Sequence, residues 1–319
     1  MGRYIVNRVT AALPVLAGIV LLAFVMVQSM PGDPMRMLIP PDLLEGVQGE
    51  EFLQARRQRF GLDDPLFVQF GRWFGEMLQG NLGYSFHLNE PVSQILWERA
   101  WPTLLLMGTS MVLALLFAVP VGLWAALHRN KTVDYAASTI SMAFIAIPGF
   151  FTCIAAIYVF AVRLGWLPAG GMGEGVGDTA RHLILPVAVL STSLFGIYMR
   201  YTRQAALEVL NEPYITAARA RGAPERWVVG RHVLKNSAIP IATVTIVHLP
   251  ILVSGAIVTE TIFAWPGAGR VVFNSIVTRD FPVIIGFTLV VAVVVVVSQL
   301  ILDLIVAWLD PRVRMGRTS

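Results

Sequence analysis

The sequence predicts an all-α protein that crosses a membrane six times. Three observations carry this: uncharged runs long enough to cross a bilayer, a charged fraction of only 14%, and a one-sided distribution of Lys and Arg. Soluble domains carry about a quarter charged residues, whereas here hydrophobic residues make up 56% and mean hydropathy is +0.68. A span needs roughly 20 apolar residues, and such runs occupy Val9–Met30, Trp101–Leu127, Tyr135–Val162, Leu183–Met199, Ala238–Thr259 and Phe281–Leu302. A core helix of a soluble protein does not stay uncharged on every face for so long.

The first run follows Arg3 and Arg8 and resembles a signal peptide in outline. It is longer than an ordinary apolar signal region, and no small-x-small cleavage pattern precedes Pro31-Gly32-Asp33-Pro34, so it reads as an uncleaved span. Gly2 lacks Ser or Thr at the sixth position, which argues against myristoylation. The loop over 31–100 carries two predicted helices. One covers Glu50–Phe60 and ends at Gly61. In the other, Asp63-Asp64-Pro65 supplies an N-cap and a first-turn proline, and Gly80 closes it. Leu66, Phe70, Trp73 and Met77 recur at helical spacing there, widened by Phe67, Phe74 and Leu78. Such a pair either lies on the membrane and caps the spans or forms a platform for a soluble partner.

In the second run Ala118, Gly122 and Ala126 form a small-xxx-small stripe for close helix packing. Pro120, Pro148, Pro186 and Pro250 fall mid-run, where the carbonyls they free need other partners. Gly170–Gly177 misses the dinucleotide fingerprint and reads as a flexible outer turn. His248, among apolar neighbours, suits an interhelical hydrogen bond. Asp303 must face protein or water.

Between the fourth and fifth runs lies a basic segment punctuated by Pro and Gly. Pro213 suits a first helical turn, three alanines favour helix, and Gly222 is a natural stop. Pro224 can open a second helix and Pro240 a third. A short cationic helix between spans looks like a docking surface for a soluble partner.

With the N-terminus inside, Met1–Arg8, His128–Asp134, Arg200–Ser237 and Asp310–Ser319 are cytoplasmic and hold two, two, seven and three Lys or Arg, fourteen in all. The short outer loops hold four: Arg163, Arg181, Arg270 and Arg279. The long loop is excluded, because translocated domains escape the rule. Both termini are therefore expected inside. The net charge of +4 and pI near 9.5 record this orientation and not a nucleic-acid partner. The chain divides into 1–30, the outer loop 31–100, a core 101–310 containing the basic cytoplasmic loop 200–239, and a tail 311–319.

Catalytic signatures are absent. The two lysines, Lys131 and Lys235, do not follow glycine, so no Gly-Lys-Ser/Thr phosphate loop exists. The five histidines form no His-x-x-x-His pair, there is no Gly-x-Ser-x-Gly elbow, and the single Cys153 offers neither disulfide nor thiolate metal site. A non-enzymatic chain without metal or cofactor of its own is expected.

Motifs in order along nearly the whole chain resemble the long-outer-loop permease subunit of dipeptide/oligopeptide/nickel ABC importers. They are Pro31-Gly32-Asp33-Pro34, Phe60-Gly61-Leu62-Asp63-Asp64-Pro65-Leu66, Gly80-Asn81-Leu82-Gly83, Glu208-Val209-Leu210 and Tyr214-Ile215. Further on come Ala217-Ala218-Arg219-Ala220-Arg221-Gly222, Thr259-Glu260-Thr261-Ile262-Phe263-Ala264-Trp265-Pro266-Gly267-Ala268-Gly269-Arg270, Arg279-Asp280-Phe281-Pro282 and Asp310-Pro311-Arg312. Each is weak singly; together they are specific. The importer signature Glu-Ala-Ala-x-x-x-Gly is matched by Thr216–Gly222 except that Thr216 replaces the acid, which removes a salt bridge at that position.

The resemblance implies a type I importer permease fold in a bacterial or archaeal cytoplasmic membrane. It implies a second, related permease forming a heterodimer, two cytoplasmic ATPases that bind ATP and Mg, and an extracytoplasmic binding protein. A coupling helix would use Pro213, Tyr214, Thr216, Ala217, Ala218, Arg219, Arg221 and Gly222. Glu260 and Trp265 are candidates for the pathway or its gate. Di- or oligopeptides are the first expected substrates, with glutathione, nickel complexes or sugars as alternatives. A secondary transporter would need midplane ionisable groups or an inverted repeat, and a membrane scaffold would leave the coupling-like helix unexplained.

Overall fold

A computed structural model describes residues 2–28 and 64–309. The expected helix Glu50–Phe60, the Pro31–Pro34, Phe60–Asp63 and Asp310–Arg312 motif residues and the tail 311–319 lie outside them. The described residues are helical apart from short connections and one isolated bridge, Tyr84 with Pro91. The helices are α1 (Gly2–Gln28), α2 (Leu66–Leu78), α3 (Val92–Leu127), α4 (Thr132–Ala146), α5 (Gly149–Ala156), α6 (Val176–Leu210), α7 (Pro213–Ala220), α8 (Glu225–Val228), α9 (Leu234–Val247), α10 (Leu249–Ile262), α11 (Ala268–Thr278) and α12 (Phe281–Leu309). Among the described residues all six apolar runs are helical apart from local breaks. By length and composition α3, α6 and α12 can each cross a membrane unbroken.

The remaining runs depart from simple rods for local reasons. The third, Tyr135–Val162, is not one straight helix: α4 and the helix that follows meet at 94°. Pro148 causes this by excluding Ile147 from helical geometry, and Ile147 indeed adopts φ −77°, ψ 123°. α5 then continues as a π-helical stretch, Ile157–Arg163. The fifth run is interrupted at His248, with Pro250 in the first turn of α10 instead of mid-helix. In α1 the apolar part is Thr10–Met26.

The chain forms two compact units. In the larger, built on Ala100–Val271, α6 packs against α4, α5, α9 and α10. The stripe on α3 is internal packing: Ala118 and Ala126 are buried, and a Cβ on Gly122 would lie 2.8 Å from the Met199 carbonyl oxygen and the Thr202 Cβ of α6. Ser191 Oγ donates to the Ser110 carbonyl at 3.0 Å across the same pair of helices. Polar side chains that bond across helices in this way add to packing where lipid surrounds the bundle. Cys153 is buried against Leu185, Val189 and Phe263. Asp303 is buried too.

Two expectations in this unit need correction. Among the described residues His248 has no bond across helices; its Nδ1 lies 2.8 Å from the Val244 carbonyl of its own turn, while its ring faces Tyr198 and Tyr201. The glycine-rich outer turn is held and not loose, since the Gly171 N–H donates to the Phe263 carbonyl at 2.8 Å.

The smaller unit includes 11–28, 64–99 and Val272–Val293. Phe70, Trp73 and Met77 of α2 pack with Val20, Ala23, Ile285 and Leu289. Leu66, Phe67 and Leu78 stay exposed, so only one edge of the expected apolar face is used. Pro65 is the N-cap residue and not the first helical one; its ψ of 143° is extended, and Asp64 instead accepts from Arg72 at 2.9 Å. Gly80 closes the helix as expected, with φ +83°. Asp280, buried, accepts from Ser85 Oγ at 2.5 Å and from the Phe86 N–H at 3.1 Å, tying the bridge region to the start of α12.

Gly122→Ala should lower the stability of the detergent-purified protein by about 1–3 kcal/mol through overpacking. Gly108→Ala, on the same helix with nothing within 4 Å, should change the melting temperature little. Equal, small effects of both would refute the close approach of α3 to α6.

Candidate functional site

α7 begins as the sequence suggests, with Pro213 in its first turn after Glu212 in extended geometry. Ile215 and Ala218, three residues apart, are its buried side and pack on Ala126, Ala206, Val228 and Val233. Thr216, Ala217, Arg219 and Arg221 are exposed. The ending is a Schellman motif: the Gly222 N–H donates to the Arg219 carbonyl at 2.9 Å and the Ala223 N–H to the Ala218 carbonyl at 3.2 Å. Gly222 has φ +82°, a left-handed conformation that favours glycine. A Cβ there would meet nothing within 4 Å, so within this chain the backbone conformation alone selects glycine.

The other coupling candidates have defined places. Arg219 Nη2 donates to Glu225 Oε1 at 2.6 Å and its Nε to Oε2 at 3.2 Å, a two-pronged bond from α7 to the start of α8. Both groups are well exposed, so the pair adds no more than about 1 kcal/mol. Arg221 has no ion-pair partner among the described residues. Tyr214 is half-exposed, and its hydroxyl accepts from Asn236 Nδ2 at 3.0 Å. Pro240, expected to open a helix, lies inside α9. The chain is already helical when it reaches this proline, which leaves the Asn236 carbonyl without its helical donor and crowds it with the proline ring.

One pair was not legible in the sequence. Asp134, buried in the first turn of α4, accepts from Arg203 Nε at 2.5 Å and Nη2 at 2.8 Å, and from the Asn130 N–H at 3.0 Å. The two residues are 69 positions apart, and neither belongs to a recognisable motif. Arg203 lies on α6, whose end leads directly into α7, so this bond fixes the base from which α7 projects. The Arg203 hydrogen bonds, aided by that of Asn130, hold the Asp134 carboxyl below the usual carboxylate range despite its burial, and Asp134 in turn raises Arg203.

Glu260 and Trp265 are brought together, both fully buried. Thr103 Oγ1 donates to Glu260 Oε1 at 2.6 Å and the Arg270 N–H donates to Oε2 at 3.1 Å. Gly267 sits directly against the carboxylate. The Trp265 N–H donates to the Glu260 carbonyl at 2.8 Å, and the indole Nε1 to the Pro102 carbonyl at 2.9 Å. The Thr259–Arg270 motif is thus wrapped around its own acid and pinned to α3. Among the described residues no group of three or more His, Cys, Asp or Glu could hold a metal.

Comparison with known proteins identifies the pattern. The family described as "Binding-protein-dependent transport system inner membrane component" matches residues 118–315, and its N-terminal counterpart matches 1–108. A putative peptide permease protein of Brucella suis biovar 1 (strain 1330) is 40% identical, over 99% of this chain and 100% of its own length. The oligopeptide transport system permease protein AppB of Bacillus subtilis (strain 168) is 39% identical over 98% and 99%. The glutathione transport system permease protein GsiC of Salmonella paratyphi A (strain ATCC 9150 / SARB42) is 36% identical over 98% and 99%. A chain of the MetNI methionine ABC transporter, in an inward-facing conformation, superposes with a TM-score of 0.57 at 20% identity, covering 70% of this chain and all of that one. At that identity the likeness concerns fold alone.

Asp134→Asn should destabilise the protein at neutral pH. The folded carboxyl binds its proton less tightly than the unfolded one, so its contribution is complete above the ordinary carboxylate pKa and fades as pH falls through the depressed folded value. The gap in stability between parent and variant should therefore be constant above about pH 5 and narrow below about pH 4. A pH-independent gap in denaturation curves would show that the ion pair is not its source.

Proposed function

This chain belongs to the binding-protein-dependent transport system inner membrane components, and on that premise we propose that it forms one half of the pathway of an ATP-driven importer of di- or oligopeptides. The observation that carries the substrate class is relatedness over the whole length to permeases named for peptides, oligopeptides and glutathione, itself a short peptide. The chain is a multi-pass inner-membrane permease that works with ATPase and substrate-binding partners. In our reading the other half of the pathway is a related but different permease. Two ATPase subunits bind ATP and Mg, and an extracytoplasmic protein delivers the substrate.

The coupling element is α7 with its capping turn. Moving a two-state equilibrium from 1:99 to 99:1 takes about 5.5 kcal/mol of differential binding. A helix seated by Ile215 and Ala218 and closed by a Schellman turn can pass such a bias into α3 and α6, where a floppy loop would absorb it. ATP-driven closure of the ATPases would draw the two coupling helices together and turn the cavity outward.

Both termini lie in the cytoplasm in this reading, supported by fourteen Lys and Arg on that side against four in the short outer loops. A reporter active only outside the cytoplasm, fused at Ser319, should give no signal; a strong signal would reverse the topology.

The coupling role is tested in vesicles containing the assembled transporter, by ATP-dependent uptake of a labelled dipeptide and by substrate-stimulated ATP hydrolysis. Gly222→Trp should insert normally and abolish both. Gly222→Asn, which tolerates the left-handed conformation, should retain most of them if conformation alone matters. Thr216→Ala should be mild, on the order of 1 kcal/mol or less. Normal uptake with Gly222→Trp would make α7 an ordinary surface element.

A further inference from the structure

The segment from Glu225 to Asn236 builds a concave basic surface that the coupling role leaves unused. α8 passes into a π-helical turn, Val229–Val233, before α9 resumes regular helix. A π turn bonds each N–H to the carbonyl five residues back and so holds one residue more than an α turn. Positions five apart then become neighbours, as positions four apart are in an α-helix. Arg226 and Arg231 are brought into one row in this way, and Lys235, four residues on, extends it. Trp227, His232 and Asn236 follow the same spacing in a second row, and the Trp227 and His232 rings meet edge to face at 4.9 Å. Both rows, together with Gly230, line one groove of about 670 Å³.

Among the described residues nothing neutralises the charges of this groove. Arg226, Arg231 and Lys235 are exposed, and among the described residues none has a carboxylate at ion-pair distance. The Arg231 guanidinium instead lies 6.0 Å from the Trp227 ring centroid, and Trp227 is 44% exposed. The groove also ends where the uncharged run of the fifth span begins, since Ala238 is three residues beyond Lys235, or about 4.5 Å along a helix. Cations with an exposed indole at that depth match the composition of a membrane–water interface, where anionic headgroups attract Lys and Arg and amphipathic rings settle.

We propose that this groove holds the phosphate-bearing headgroup of an anionic phospholipid, its acyl chains lying along α9. The row of Arg226, Arg231 and Lys235 would bind the phosphate, and Trp227 would lie at headgroup level. Inorganic phosphate offers the same charge without the chains, and an acidic surface of a soluble subunit offers charge without the bilayer. The groove's position at the start of a span favours the lipid over both. The proposal rests only on the chain's being a membrane permease, and not on its substrate or on the role of α7.

The test is native mass spectrometry of the assembled transporter, released from membranes and offered phosphatidylglycerol or phosphatidylcholine. Phosphatidylglycerol should bind preferentially. The combined variant Arg226→Gln, Arg231→Gln, Lys235→Gln should weaken its binding roughly a hundredfold for three interfacial cations, leaving phosphatidylcholine unchanged. The variant Arg226→Lys, Arg231→Lys should retain most of the binding, which separates lost charge from lost folding. Millimolar inorganic phosphate should not displace the lipid. Unchanged phosphatidylglycerol binding in the combined variant would overturn the proposal, as would displacement by phosphate. Loss of the ATPase subunits from that variant with lipid binding intact would overturn it in favour of a protein contact. Dipeptide uptake is not the readout, so failure here leaves the coupling test with Gly222→Trp standing.

Discussion

Close approach of helices to α6 is the constraint on which the larger unit depends. Lipid tails are as apolar as leucine, so burying leucine against leucine does little to hold helices together in a bilayer. Dispersion contacts and interhelical hydrogen bonds must do it. Gly122 admits the backbone of α6 at Met199, and Ser191 bonds the Ser110 carbonyl of α3. On the other flank Ser141 of α4 donates to the Gly196 carbonyl at 3.3 Å. Small residues and hydroxyls, and not bulky side chains, therefore determine where α3 and α4 sit.

From that frame the coupling helix gains its stiffness. α6 runs without a break to Leu210, Arg203 is clamped to Asp134, and α7 follows after a two-residue turn. The buried pair Ile215 and Ala218 rests on side chains of α3, α6, α8 and the π turn. A push on the exposed face of α7 therefore meets a packed base. Arg219, a candidate coupling residue, is held by Glu225, whereas Arg221 is exposed and has no ion-pair partner among the described residues.

Two acids show how buried charge is handled in motif regions. Glu260 is enclosed by Thr103, the Arg270 N–H and Gly267; Asp280 is enclosed by Ser85 and the Phe86 N–H. Each lies within its own unit, and each gathers donors distant in sequence. Carboxylates supplied with several donors in this way bear burial at less cost than bare ones. For Glu260 the enclosure places the charge among structural donors, and any part it plays in a gate would require those bonds to be exchanged.

What the sequence determined by itself were properties local to a few turns: six apolar runs, the proline that opens α7, the glycine that closes it, and the stripe on α3. These follow from backbone sterics and from side-chain periodicity, which act within about ten residues. It also carried the family, because many short motifs kept their order along the chain. Tertiary structure decided the pairings. Asp134 and Arg203, 69 residues apart, have no joint signal, and the π turn at Val229–Val233 leaves no mark in the periodicity. The glycine-rich turn looked loose for the same reason: its partner is the Phe263 carbonyl, some 90 residues later. A hydrogen bond between distant residues exists only once the helices have packed, so its energy belongs to the fold and not to any stretch of chain.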